Sequence, residues 1–190
     1  MPNLVSKVTY FENTGVANTD ETLKLAKERA DHLGVRNIVV ASKTGRTGLK
    51  AAEIFRGYNL VVVTQVIGFT EPNVRKLTPE NRAILEKNGV KVVTAAHAFG
   101  TLGRAVNRKF NTIQVDEIIA NVLRLFGAGV KVACEVTCMA TDAGLVRANE
   151  DVIGIGGTGD GADTAILVKA TNTHTFFDIR IREIICKPRM

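Results

Sequence analysis

The chain has 190 residues, 45% of them hydrophobic, and its 25 basic and 19 acidic residues give a formal net charge of +6. This length suits one well-packed domain, and we expect a single domain over residues 1–190. The basic residues are scattered and do not stand beside stacking aromatic residues, so we expect no nucleic-acid partner. An odd count of three cysteines, no signal-peptide layout and no apolar run that could span a bilayer predict a cytoplasmic protein without a membrane partner.

The first half of the chain predicts strands and helices in alternation. A short strand at 8–11 precedes a helix that begins at Asn18 or Thr19 and ends at Gly34, with apolar residues at helical spacing. Residues 37–42 form a continuous apolar run, which is typical of a strand buried on both faces. The cycle then repeats, with strands at 60–64 and 91–94, one helix that carries Leu49, Ala52 and Phe55, and another that begins at Thr78 and Pro79.

The second half predicts helices first and strands last. A long helical region follows residue 94 and carries apolar side chains on one face, namely Ile118, Ile119, Val122, Leu123 and Phe126. Residues 130–143 hold few charges and predict a largely buried helix. From Asp151 onward two strands follow in quick succession and must pair as a hairpin or cross by another route, before a final strand. The predicted fold class is α/β, a three-layer α/β/α domain whose mostly parallel sheet has an antiparallel C-terminal strand.

The stretch 39–48, VVASKTGRTG, joins a buried strand to a helix, at the sheet edge where α/β proteins bind ligands. Backbone amides and the positive end of the helix point outward together there, and glycines allow an anion to approach closely. The spacing differs from that of a Walker A loop. One interpretation is a polar turn that Thr47 caps. The other, which we favour, is a phosphate site formed by Ser42, Lys43, Thr44, Gly45, Arg46, Thr47 and Gly48.

The glycine-rich segment 154–163, GIGGTGDGAD, joins two of the late strands. It has the form G-x-G-x-x-G, but that fingerprint requires a helix directly after it, and a strand is predicted here. A plain connection between strands is the more common case. The functional alternative is a flexible flap whose amides close over a bound anion. That alternative predicts ligand contacts at Gly156, Gly157, Thr158, Gly159 and Asp160.

Polar residues at two other strand ends complete the candidate site. We expect Thr64, Gln65 and His97 to hold the part of the ligand that lies beyond the phosphate. His97 is the one candidate for acid–base catalysis, and the sequence offers it no matched base or nucleophile. A single histidine near a strand end is more often a hydrogen-bonded structural residue.

Two pairs of residues lie one helical turn apart in the predicted helix at 130–143. Cys134 and Cys138 share a face, but their neighbours are apolar, so we interpret them as small buried hydrophobic residues and expect no metal site. Lys131 and Glu135 are interpreted as an ordinary i,i+4 ion pair.

The segment 38–65, IVVASKTGRTGLKAAEIFRGYNLVVVTQ, resembles the C-terminal domain of pyruvate kinase, where a strand, a Ser-Gly-Arg-Ser-like loop, a helix and an apolar strand follow in this order. The resemblance implies the α/β architecture. It also implies that residues 42–47 match the loop that binds a phosphate of the sugar-bisphosphate effector in allosteric members, and that 156–163 matches the loop that closes over it. Residues 94–125 depart from the kinase domain.

The whole chain is similar to a stand-alone, mainly archaeal family of such domains with no assigned activity. Pyruvate kinase catalysis belongs to a separate eight-stranded barrel of roughly 250 residues, so we expect no pyruvate kinase activity from these 190 residues. A shared fold does not by itself carry function.

Three hypotheses for function follow. The first is binding of a phosphorylated small molecule, with FMN or another nucleotide as the candidate ligand and a flavin ring against Phe69 or Phe99. The second is an enzyme that acts on a phosphorylated substrate, with His97 as acid or base and Arg46 or Arg104 as an anion clamp. The third is a homo-oligomeric regulatory or scaffold protein with a vestigial phosphate site, in which the end strand FDIRIREIICKP pairs across a two-fold axis.

Overall fold

The computed structural model describes residues 3–189. The strands of this part are β1 Thr9–Phe11, β2 Asn37–Ala41, β3 Asn59–Thr64, β4 Lys91–Thr94, β5 Asp151–Gly156, β6 Thr164–Lys169 and β7 Arg180–Pro188. The α-helices are α1 Thr19–Leu33, α2 Arg46–Ile54, α3 Pro79–Lys87, α4 Leu102–Phe110, α5 Val115–Arg124 and α6 Ala128–Asp142. Short 3₁₀ turns at Val16–Asn18 and Thr173–Asp178 precede α1 and β7.

The seven strands form one sheet in the order β1-β7-β6-β5-β2-β3-β4. β6 pairs antiparallel with both β5 and β7, and the pairs β2–β3, β2–β5, β3–β4 and β1–β7 are parallel. The fold class is therefore confirmed as α/β with a mostly parallel sheet. The two late strands β5 and β6 form a hairpin, and the last strand β7 is antiparallel to β6 and parallel to β1.

Local sequence signals explain where the elements begin and end. β2 and β3 are apolar runs whose inner residues are buried on both faces, as expected for central parallel strands. α1 ends at Gly34, which has the left-handed φ of 69° that closes a helix. α3 begins at Thr78, whose hydroxyl accepts a hydrogen bond from the Asn81 amide, with Pro79 in the first turn.

Helices cover both faces of the sheet and divide the core in two. One core lies under α1, α2 and α3 and is centred on Ile38, Val62 and Ile153. The other lies under α5 and α6 and is centred on Val39, Val61 and Ile166. The two cores use alternate residues of the same strands, because successive side chains of a strand point to opposite faces.

One expectation about the surface needs correction. β7 is not the edge of the sheet, since β1 pairs with it at Cys186, Lys187 and Pro188, so it is not an exposed end strand that could pair across a two-fold axis as a whole. The predicted helical region after residue 94 consists of α4 and α5, and its apolar face is only partly buried. Ile119 and Leu123 pack against the core, whereas Ile118 and Val122 are about half exposed.

Within residues 3–189, every helix is too short or too polar to cross a membrane.

Candidate functional site

A cavity of about 300 Å³ opens at the carboxyl ends of β2 and β3. The chain leaves β2 towards β3 through α2 on one face, whereas β5, the other neighbour of β2, is reached through α6 on the opposite face. Such a switch in direction leaves a crevice at the strand ends, which is where open α/β sheets bind ligands. The cavity wall comes from the 42–48 loop, the glycine-rich segment, the end of β3 and α6.

The 42–48 loop presents unpartnered backbone amides at the start of α2. The amide N–H groups of residues 44–47 donate no hydrogen bond within the described part of the chain. The Gly48 amide donates to Ser42 Oγ at 3.0 Å, so the serine hydroxyl closes the turn from inside. Unpartnered amides at a helix N-terminus, together with the helix dipole, attract an anion. The loop is therefore open to an anion, as a phosphate site requires.

The side chains of the loop add positive charge and hydroxyl groups. Ser42, Lys43, Thr44, Arg46 and Thr47 all line the cavity. Lys43 Nζ lies 2.7 Å from Asp160 Oδ1, and this ion pair joins the 42–48 loop to the glycine-rich segment. Lys43 holds the pKa of the Asp160 carboxyl below its usual value, first through their hydrogen bond.

The two glycines of this loop shape the backbone and do not line the cavity. Gly45 caps α2 with a φ of 93°, and a Cβ added there would lie 2.7 Å from Leu77 Cδ1. At Gly48 a Cβ would lie 3.0 Å from Val62 Cγ2, so the glycine lets α2 pack closely on β3. Asn81 on α3 supports the turn, since its Nδ2 donates to the Thr44 carbonyl at 2.9 Å.

The glycine-rich segment forms the tip of the β5–β6 hairpin beside the cavity. Gly157, Gly159 and Asp160 line the cavity. Gly156 lies at the end of β5 against α6, where a Cβ would come within 2.4 Å of the Gly129 carbonyl oxygen. The Thr158 amide points instead towards a buried carboxylate, which the next paragraph describes.

Asp163 fixes the shape of the hairpin tip and was not identified from the sequence. Its side chain is fully buried, and Oδ2 accepts hydrogen bonds from the amides of Gly15 and Thr158, at 2.9 and 3.1 Å. Oδ1 accepts from the hydroxyl of Thr164. The sequence could have indicated this role, because Asp163 ends the glycine-rich run GDGAD and an aspartate in a tight turn commonly accepts hydrogen bonds from nearby backbone amides.

The end of β3 brings Thr64 and Gln65 to the cavity. Thr64 Oγ1 lies 2.7 Å from Thr94 Oγ1 on the neighbouring strand, which holds the hydroxyl in place. Gln65 Oε1 is buried and has no hydrogen-bond partner among the described residues. A buried acceptor without a partner costs free energy, and a ligand N–H or O–H group could satisfy it.

His97 lines the same cavity, but its ring is held by the protein. Nε2 accepts a hydrogen bond from the Val66 amide at 3.3 Å, so the neutral ring carries its proton on Nδ1. The ring centroid lies 5.3 Å from that of Phe69. Burial lowers the pKa of His97, and Lys131 and Arg104 act in the same direction against the opposing charge of Glu135.

A buried ion pair on α6 forms the inner wall of the site. Lys131 and Glu135 form the predicted i,i+4 pair, but the pair is buried and is therefore not an ordinary one. Their residues are only 4% and 6% exposed. Lys131 Nζ donates to Glu135 Oε2, and Glu135 Oε1 accepts from the Phe99 amide at 3.0 Å. Burial lowers the pKa of Lys131. Glu135 also lines the cavity, so a carboxylate with spare acceptor capacity faces any ligand.

Neither predicted aromatic platform borders the cavity. Phe99 is buried in the core, with its ring centroid 5.1 Å from that of Phe176, so the expected stacking of a flavin ring on it is wrong. Phe69 is covered by His97 and by the Arg104 guanidinium, 5.0 Å from its ring. Arg104 itself does not line the cavity. Apolar contacts come instead from Ala41, Val63, Val132, Val136 and Met139.

Cys134 and Cys138 are buried, as predicted, and Cys186 is buried as well. Burial raises the pKa of Cys134 and Cys138 to about 12 and that of Cys186 to about 11, so all three thiols stay protonated near neutral pH. Residues 3–189 contain no group of three or more His, Cys, Asp or Glu side chains placed to bind a metal ion.

Comparison with known proteins gives one family match. The model of the pyruvate kinase alpha/beta domain matches residues 20–169, which include the 42–48 loop and the β5–β6 hairpin. The chain belongs to this family. The mixed sheet with helices on both faces is the fold expected for a member of this family. A pyruvate kinase from Cryptosporidium parvum has 16% sequence identity and a TM-score of 0.44, over 84% of this chain and 24% of that chain. The chain thus spans about a quarter of that enzyme's length.

Proposed function

We propose that the protein binds a phosphorylated small molecule, with the phosphate on the 42–48 loop. The observation that carries the proposal is the row of unpartnered amides at residues 44–47, at the start of α2 and on the edge of the cavity. Lys43 and Arg46 supply positive charge, and the hydroxyls of Thr44 and Thr47 supply further donors. Amides, a helix N-terminus and basic side chains together match the geometry and charge of a phosphate dianion.

The rest of the ligand would lie between apolar and acceptor groups. Val63, Val132 and Met139 offer an apolar wall, whereas Glu135 and the unpartnered Gln65 Oε1 accept hydrogen bonds. A ligand that fits this wall carries an apolar or aromatic body with N–H or O–H donors. FMN or another nucleotide meets these requirements, and a volume of about 300 Å³ lies at the small end of ligand pockets.

The test is the identification of what the purified protein retains. Mass spectrometry of small molecules released from the wild-type protein should give a phosphorylated compound, and the Thr44→Ala/Arg46→Ala variant should lose it. The matched control is Thr112→Ala/Arg108→Ala, which makes the same two changes on exposed residues of α4 and the turn after it. Equal retention by the site variant and the control would refute the phosphate site.

FMN is tested separately by titration of the purified protein. If FMN binds, its fluorescence changes and the melting temperature rises, since a ligand at 100 times its dissociation constant stabilises the fold by about 2.7 kcal/mol. Riboflavin lacks the phosphate and should bind much more weakly. An unchanged melting temperature and fluorescence with FMN would remove the flavin from the proposal, although a different phosphorylated ligand could still bind the loop.

Catalysis with His97 as acid or base is the second candidate. It is favoured by the presence of His97 and Glu135 in one cavity, and it is weakened because His97 Nε2 is bonded to the Val66 amide. We further infer that residues 3–189 by themselves lack pyruvate kinase activity, because they form one open seven-stranded sheet and no eight-stranded barrel. The cytoplasmic location and the relation to a mainly archaeal group stay predictions.

A further inference from the structure

The exposed apolar surface of α5 lies outside the proposed ligand site. Large side chains lie exposed along α5 and the connection that leads into it: Phe110, Ile113, Val115, Ile118, Val122 and Leu125 are between 49% and 79% exposed. We define these six residues as the α5 face. None of them lines the cavity. Contiguous apolar patches of this kind on a folded domain mark interaction surfaces.

The spacing of these residues identifies a helix as the matching surface. Val115, Ile118, Val122 and Leu125 follow one another at intervals of three, four and three residues. This is the a/d spacing of a helix that packs along a second helix, with β-branched residues at a and Ile or Leu at d. The inner half of the same helix, with Ala120, Ile119 and Leu123, already packs against the core.

The charges around the face favour a second copy of the same chain. The positions that flank the a/d residues are Gln114, Ile119, Asn121 and Phe126, all uncharged. The two acidic residues of α5 are turned towards α4: Glu117 accepts a hydrogen bond from Asn107 at 2.9 Å, and the Asp116 carboxylate lies against Gly103. Arg124 donates to the flanking Asn121 at 3.0 Å, so its charge lies at the border of the face. The a, d and flanking positions carry no charge, so two α5 faces can pack along them without opposing like charges at these positions, which would be destabilising.

The area of the face is that of a modest dimer interface. At roughly 100 Å² for each of these half- to four-fifths-exposed side chains, a pair of faces would bury about 1,200 Å² in total. This value is the lower end of the range for specific interfaces. We propose that the α5 face is the contact between two copies of this chain, related by a two-fold axis across α5. The exposed Arg108 and Lys109 of α4 would lie at its rim.

Analytical ultracentrifugation over roughly 1–500 μM protein tests the proposal. The wild type should be a dimer at the upper concentrations, and Ile118→Lys should raise the dimer dissociation constant by at least about 100-fold, because symmetry places the change twice in the interface. The matched control is Ile84→Lys on α3, since Ile84 is 47% exposed and Ile118 is 49% exposed. Circular dichroism and melting temperature establish that both variants fold.

Salt dependence separates an apolar contact from an electrostatic one. Raising the salt concentration should leave the dimer intact or strengthen it, because it screens the repulsion between two chains of charge +6. Three outcomes would overturn the proposal: a monomeric wild type at every concentration, a dimer that Ile118→Lys leaves unchanged, or binding of the monomer to anionic phospholipid vesicles that Ile118→Lys abolishes.

Discussion

At the residue scale, His97 should make the stability of the fold depend on pH. Burial lowers the pKa of its imidazole in the folded protein, whereas the unfolded chain takes up the proton near the ordinary value of about 6.5. The unfolded state therefore binds more protons below that pH, so stability should fall as the pH drops through this value. The melting temperature of the wild type should fall more between pH 7.5 and 5.5 than that of His97→Gln, which keeps an acceptor for the Val66 amide. Parallel curves for the two proteins would contradict this assignment.

The buried pair on α6 is the second prediction at this scale. Lys131→Met leaves the Glu135 carboxylate buried without its counter-charge, and we expect a loss of about 3–5 kcal/mol in the free energy of unfolding. The double variant Lys131→Met/Glu135→Gln removes both charges and should recover most of that loss. Urea denaturation of the three proteins measures both effects. Equal stability of the wild type and Lys131→Met would show that the pair is not buried as described.

At the scale of elements, the Lys43–Asp160 pair joins two segments that border one cavity. A bound phosphate would compete with Asp160 for Lys43, which is only partly buried. Asp160→Asn should therefore strengthen phosphate binding about two- to fivefold, as expected for the loss of an exposed ion pair. Isothermal titration with the ligand released from the wild type, or with FMN if it binds, measures this change. Glu150→Gln, at the opposite end of β5, serves as the control. A weaker affinity in Asp160→Asn would mean that the aspartate supports the ligand.

The elements differ in how far the sequence could predict them. β2, α2 and β3 were predictable because apolar runs, a helix start and glycines follow one another locally, and the 42–48 loop falls between them. The order of β1, β7 and β6 depends on pairings between distant segments, such as Thr9 with Cys186, which no local pattern encodes. The burial of Lys131 and Glu135 was open to inference, since they stand among apolar residues on every side of α6.

At the scale of the whole molecule, the proposed ligand site and the proposed dimer face use different parts of the fold. The cavity draws on β2, β3, α2, α6 and the glycine-rich segment, whereas the α5 face lies on the outer side of a helix that contributes nothing to the cavity wall. All residues that line the cavity come from one chain, so the site needs no residue from a partner. Ligand binding and self-association should therefore vary independently.

This independence gives the last prediction. Ile118→Lys should bind the ligand with an affinity within about twofold of the wild type, even at concentrations where the variant is monomeric, because distant sites with no shared partners act additively. The converse should also hold, so that Thr44→Ala/Arg46→Ala dimerises like the wild type. Fluorescence titration and sedimentation of both variants measure the two quantities side by side. A loss of affinity that follows the loss of the dimer would show that the partner completes the site.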